Sequence, residues 1–155
     1  PTNPGVAMRS LPRGFRAGRS IDTVPDVVFT WHMESTCPFC SVTPDRIVHA
    51  AADVITLRDG FPVSEGHTLV IPRRHVTSLF DLTEVEQQAL WTVVRAVRAE
   101  LLARLAPDGF NIGLNDGTAA GQTVAHAQVH VIPRYDVDGP RGGVRWVVPE
   151  HAAYW

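Results

Sequence analysis

The sequence predicts an α+β fold, with one long helix among several short strands of an antiparallel sheet. Three observations lead there. Thr83 followed by Glu86 fits a capping box, and apolar residues then recur at helical spacing as far as Leu105. Short β-prone segments flank this helix, separated by Gly, Pro and Asp breakers. Residues 124–133 alternate side chains at period two, the repeat of a strand.

Taken in order, residues 24–31 form a short strand or an apolar entry segment, and Cys37-Pro38-Phe39-Cys40 follows in a turn. Residues 46–51 and 54–58 are β-prone and pair as a hairpin, which Asp59-Gly60-Phe61-Pro62 ends. Residues 68–71 are a short buried strand stopped by Pro72. The helix then carries Leu90, Val93, Val94, Val97, Leu101 and Leu105 on one face, and Pro107-Asp108-Gly109 terminates it. Residues 110–114 alternate as a strand, and 115–122 make a glycine-containing loop. On the last strand, 124–133, the side chains of His126, Gln128 and His130 share one face, while Ala127, Val129 and Val131 pack behind. A row of imidazoles on a rigid strand suits metal ligation or acid–base work near neutral pH.

At 155 residues the chain is long enough for one domain with a sizeable core. A formal charge of −2 gives no basis for a nucleic-acid surface. All 14 basic residues are arginine, a bias that reads as GC-rich coding more than as phosphate recognition. No run of about 18 apolar residues is present, so no membrane span is expected. Residues 1–20 hold four arginines and several Gly and Pro breakers, without the apolar core of a signal peptide. They read as an extended arm, and a cytoplasmic setting is the default expectation.

Gln122-Thr123-Val124-Ala125-His126-Ala127-Gln128-Val129-His130-Val131-Ile132-Pro133-Arg134 resembles the signature of the histidine triad family of nucleotide hydrolases and transferases. Gly66-His67-Thr68-Leu69-Val70-Ile71-Pro72-Arg73-Arg74-His75 is similar to a second block of that family. The resemblance spans roughly residues 37–134. It implies an α+β sheet of about five antiparallel strands with one long helix and a short one, and a homodimer. It also implies an arm over 1–30, the domain over 31–136, and a tail over 137–155 packed on the domain or a partner. Arg145 and Trp146 in that tail are read as packing residues.

Cys37 and Cys40 are the only cysteines. The pair alone is open between a redox motif, half a zinc site and a surface turn, although no thioredoxin-like βαβ context accompanies it. The resemblance implies a structural zinc held by Cys37, Cys40, His75 and His126. His67 reads as a satisfied turn histidine, and His32, His49 and His151 receive no role.

In the loop before the last strand, glycines allow close approach of backbone amides to an anion. The resemblance implies phosphate contacts from Asn115, Gly121, Gln122, Thr123 and His130, and a ribose contact from Asp59. The base would lie near residues 54–57 and Phe61.

The family's middle histidine attacks phosphorus, and this chain has Gln128 at that position. A glutamine amide is neither base nor nucleophile at neutral pH. The catalytic positions are therefore Gln128 and His130, in a nucleotide-binding hydrolase acting on a phosphoanhydride or phosphoramidate bond with its usual covalent step closed. The open alternatives are a nucleotide-binding regulatory protein without turnover, and a diverged tailoring enzyme with His130-assisted chemistry. Either an introduced or a native glutamine is compatible with the sequence.

Overall fold

A computed structural model describes residues 36–138 and 143–152. The expected strand at 24–31 and the arm at 1–30 lie outside the described residues. Five antiparallel strands form one sheet in the order β1-β2-β3-β5-β4. These are β1 (Ile47–Ala50), β2 (Val54–Arg58), β3 (Thr68–Pro72), β4 (Gly109–Gly113) and β5 (Val129–Arg134). The single α-helix among the described residues is α1 (Glu84–Leu105). Short 3-10 helices accompany it, among them Leu79–Asp81 and Val144–Val147.

The capping box forms as the sequence predicts. The Thr83 hydroxyl accepts from Glu86 N–H at 3.3 Å, and the Glu86 carboxylate accepts from Thr83 N–H at 2.8 Å. Leu90, Val93, Val94, Val97 and Leu101 are buried, with Leu105 partly so. Ala106, in the left-handed region at φ 46°, ends the helix by donating to Leu102 O.

Pleating divides the apolar residues between two faces. Val54, Val70, Val129 and Val131 pack with α1, joined by Ala127. Ile55, Leu57, Leu69 and Ile71 form a second cluster on the opposite face, with Phe39, Val42 and Ile47 against them. This assignment follows from register: Leu69 pairs with His130, and His130 pairs with Gly113. The side chain of His130 therefore stands on the helix-free face, beside a glycine that leaves room next to it.

The last strand is shorter than its period-two pattern suggests. Residues 124–126 form a bend, in which His126 N–H donates to Val124 O at 2.8 Å, and Ala127 N–H donates sideways to Val76 O at 2.7 Å. This tight turn replaces the first ladder bonds of the expected strand, so pairing begins at Val129.

Gly66 is a point of close approach. It sits at φ +84°, and a Cβ there would lie 2.6 Å from Leu105 Cδ1 and 3.0 Å from Leu101 Cδ2. Gly66→Ala combines left-handed strain with overpacking against the helix, and should destabilise the fold by about 2–4 kcal/mol. Urea denaturation would register this as a lower midpoint at unchanged slope.

Candidate functional site

The bend before β5 turns His126 away from the row expected with Gln128 and His130. His126 is only 1 % exposed, and its Nε2–H donates to Pro72 O at 2.9 Å. That bond leaves the Nδ1 lone pair free and fixes its direction. Nδ1 lies 3.5 Å from Cys37 Sγ and 3.6 Å from Cys40 Sγ, while Cys40 Sγ is 3.2 Å from His75 Nδ1. The ligand atoms of Cys37, Cys40, His75 and His126 all lie within 4.8 Å of one another, a group able to hold a metal ion. Burial holds the His126 pKa below its ordinary value, against the raising effect of the Pro72 carbonyl. The neutral imidazole that a metal requires is thus the favoured form.

On the helix-free face a cleft of about 770 Å³ opens beside β5. Gln128 and His130 line its floor with Asp59 and His67, and Asn115 and Thr123 contribute from the loop. Its apolar walls come from Phe39, Phe61, Leu69, Ile112, Val144 and Val147. Residues 54–57, expected near a base, do not line it, because they lie in the inner strand β2, with Val54, Ile55 and Leu57 in the two core clusters and Thr56 buried. Phe39 sits between the two cysteines, so the candidate metal group and the cleft share one wall.

At the centre are two imidazoles and a carboxylate. His67 Nε2 is 3.0 Å from His130 Nδ1 and 3.3 Å from Asp59 Oδ2. Asp59 Oδ1 accepts from Phe61 N–H at 2.8 Å. The Gln128 amide lies 3.5 Å from His130 Nε2. Gln128 is 8 % exposed, and the oxygen end of its amide has no hydrogen-bond partner.

Residues 41–137 match the family described as HIT domain. The chain belongs to the HIT family. An uncharacterised HIT-like protein of Mycoplasma genitalium is 34 % identical over 106 residues, which are 66 % of this chain and 75 % of that protein. The asymmetrical bis(5'-nucleosyl)-tetraphosphatase of Schizosaccharomyces pombe is 47 % identical over 77 residues, half of this chain and 42 % of that enzyme. A zinc-bound histidine triad family protein from Mycobacterium smegmatis superposes with a TM-score of 0.62 at 33 % identity, covering 66 % of this chain and 78 % of that one.

Within this HIT domain, the expected loop residues take different positions. Asn115 and Thr123 reach the cleft. Gln122 does not line it: the side chain is buried, accepting from Gly117 N–H at 2.8 Å and donating to Thr77 O at 2.8 Å. Gly121, at φ +90°, closes the 3-10 turn of the same loop, and its carbonyl accepts from Asn115 Nδ2 at 3.2 Å. Both residues shape the loop. His67 is the residue that sequence reasoning missed. Its signal was its place two residues before Leu69, on the face that β3 shares with His130 of β5.

Burial lowers the pKa of both His67 and His130 below 6.5, opposed in each by the Asp59 carboxylate. The unfolded chain then binds more protons than the folded one as pH drops below about 6.5, so this stabilisation is whole above that pH and shrinks toward the lowered native values. Urea titrations at about pH 7.5 and about pH 5.5 should show a loss of stability that is smaller in His67→Gln than in the parent.

Proposed function

We propose that this HIT protein binds a nucleoside phosphate in the cleft and belongs chemically with hydrolases of phosphoanhydride or phosphoramidate bonds, its covalent step closed by Gln128. The observation carrying this reading is the convergence of Gln128, His130, Asp59, Asn115 and Thr123 on one cleft with apolar walls. The nucleotide specificity in the name of the Schizosaccharomyces pombe enzyme supports it. Asn115, Thr123 and His130 hold phosphate oxygens, with Gly121 and Gln122 keeping the loop in shape. Asp59 takes the ribose hydroxyls on lone pairs that Phe61 N–H and the imidazoles leave available, a carboxylate having about four such sites. A homodimer and a cytoplasmic setting belong to the same proposal. No helix among the described residues is long and apolar enough to cross a membrane.

Zinc is the metal proposed for Cys37, Cys40, His75 and His126. Sulfur and nitrogen donors about 2.3 Å and about 2.0 Å from a shared tetrahedral zinc stand roughly 3.5 Å apart. The spacings of 3.2–3.6 Å in this group fit that arrangement. Bound zinc ties the cysteine turn to the bend before β5. Elemental analysis should find about one zinc per chain, and chelation should lower Tm on the order of 10 °C. Cys37→Ser should lose the metal under the same conditions.

A second reading, a nucleotide receptor without turnover, is favoured by Gln128 itself, because an amide cannot attack phosphorus. One experiment tests both. The chain and Gln128→His are each assayed with a dinucleoside tetraphosphate and adenosine phosphoramidate. The first reading expects a gain in kcat/KM on the order of 10³ or more in Gln128→His, with a nucleotidyl-histidine adduct. The second expects calorimetric nucleotide binding and no turnover by the chain. Absence of both turnover and binding in either protein overturns the nucleotide assignment.

A further inference from the structure

Two chain segments meet at the metal group, and both line the cleft. Pro38 and Phe39, the residues between the two cysteines, contribute from one segment. Thr123 and Val124, just before His126, and Gln128, just after it, contribute from the other. Cys37 and His126 are 89 positions apart in sequence, yet Sγ and Nδ1 stand 3.5 Å from each other. The Phe39 ring meets the His126 ring edge-on, with centroids 5.9 Å apart.

The two segments are fastened differently. His126 Nε2–H donates to Pro72 O at 2.9 Å and Ala127 N–H to Val76 O at 2.7 Å, so the bend is tied to the β3 side without a metal. In the cysteine turn, Cys40 N–H and Ser41 N–H both donate to Cys37 O at 3.2 Å. Those bonds close the turn on itself and do not anchor it on the sheet. Side chains carry it onto the body: Phe39 packs against the cluster of Ile55, Leu57, Leu69 and Ile71, and the thiols stand against His75 and His126. Burial in the group is uneven as well. Cys37 and His126 are buried, Cys40 is half-buried and His75 is exposed. An ion arriving from solvent meets His75 and Cys40 first, with the inner imidazole already in place.

We propose that the metal group is an effector site for the cleft, with Phe39 as the residue that couples the two. A metal shared by the fixed His126 and the two cysteines draws the turn onto the bend and holds Pro38 and Phe39 in their place in the cleft wall. A wall ordered by the metal no longer has to be ordered by the ligand, so ligand affinity rises with metal occupancy. By linkage, bound ligand tightens the metal by the same factor. A metal that only stabilised the fold would raise Tm and leave the ligand affinity of the folded chain unchanged. The inference rests on the nucleotide and zinc readings above for its ligand and its metal. The hold of the metal on the turn needs no cleft ligand.

The test uses the full chain, zinc-loaded and chelator-stripped. A chain that takes up no zinc overturns the zinc assignment and the effector role together. Stripping should speed amide hydrogen exchange at Cys40 and Ser41 by about 10-fold or more, with residues 90–101 of α1 unchanged. Equal exchange at Cys40 and Ser41 overturns the hold on the wall. An equal rise through α1 shows a metal that holds the whole fold, and overturns a local role. In calorimetry, AMP should bind the loaded chain about 10-fold more tightly than the stripped one. Zinc competition against a chromophoric chelator should show zinc held tighter by a similar factor in saturating AMP. Equal AMP affinity with and without zinc overturns the coupling. In Phe39→Ala, which keeps all four metal ligands, the ratio of the two AMP affinities should fall toward unity. An undiminished ratio there overturns the role of Phe39. If the loaded parent binds no AMP, the nucleotide reading fails and the coupling to it fails too, while hydrogen exchange still decides the hold of the metal on the wall.

Discussion

An imidazole presents a lone pair in a fixed direction only when its other nitrogen is held. In this protein the Pro72 carbonyl holds His126 Nε2 at 2.9 Å inside the fold. Pro72 is the last residue of β3, and a proline carbonyl at a strand end still has acceptor capacity for such a partner. The bond also locates the chain before β5. With His126 pulled toward Pro72, the backbone bends at 124–126, Ala127 N–H reaches Val76 O, and β5 then starts in register with β3. Gln128 and His130 enter the cleft because His126 has been drawn out of it. The same histidine thus separates two chemistries, with thiols on its Nδ1 side and the imidazole–carboxylate cluster beyond the bend.

The arrangement depends equally on the segment carrying His75. Arg74 beside it grips Glu86 through two hydrogen bonds of 2.8 Å, and donates to Asp81 O at 3.0 Å. Glu86 also closes the helix capping box, so one carboxylate fastens the start of α1 and the end of the β3 connection. The Arg74 guanidinium, followed by the Thr83 amide and hydroxyl, holds the Glu86 carboxyl down to about 2. Both partners are at the surface, and solvent screening keeps the energetic share of such a pair small. Its contribution is positional, because it limits where His75 can stand relative to the cysteines.

Most of the fold was legible because the helix and the inner strands obey local rules. The capping box at Thr83 and the stripe from Leu90 to Leu101 specify α1 without reference to anything distant. The hairpin and the strand expected at 68–71 are short apolar runs between breakers, and residues 110–114 alternate as a strand does. The start of β5 was not legible, since its period-two pattern continues through 124–128 while the hydrogen bonds that interrupt it come from Val76, about 50 residues away in sequence. The four metal-type residues were identified through the motif, and their proximity depends on tertiary contacts that spacing does not encode. Gln122 was misplaced for a related reason. A polar side chain in a loop looks available to a ligand until the fold supplies Thr77 O and Gly117 N–H as its partners. His67 was undervalued because its meaning lies across the sheet, in the pairing of β3 with β5.

In the proposed nucleotide reading, phosphate recognition in this cleft is largely neutral in character. The chain has no lysine, and Arg46 is the one cation among the described residues lining the cleft, which also contains Asp59. Burial keeps His67 and His130 uncharged near neutral pH, so they supply dipoles and not a net positive charge. Fixed neutral donors can hold an oxyanion, because their orientation has already been settled by folding. An imidazole at position 128 would bring a lone pair to that oxyanion's phosphorus. An amide has no such lone pair to offer. In the proposed reading, Gln128 therefore removes the attack on phosphorus while β5, the bend and the histidine behind it keep their places.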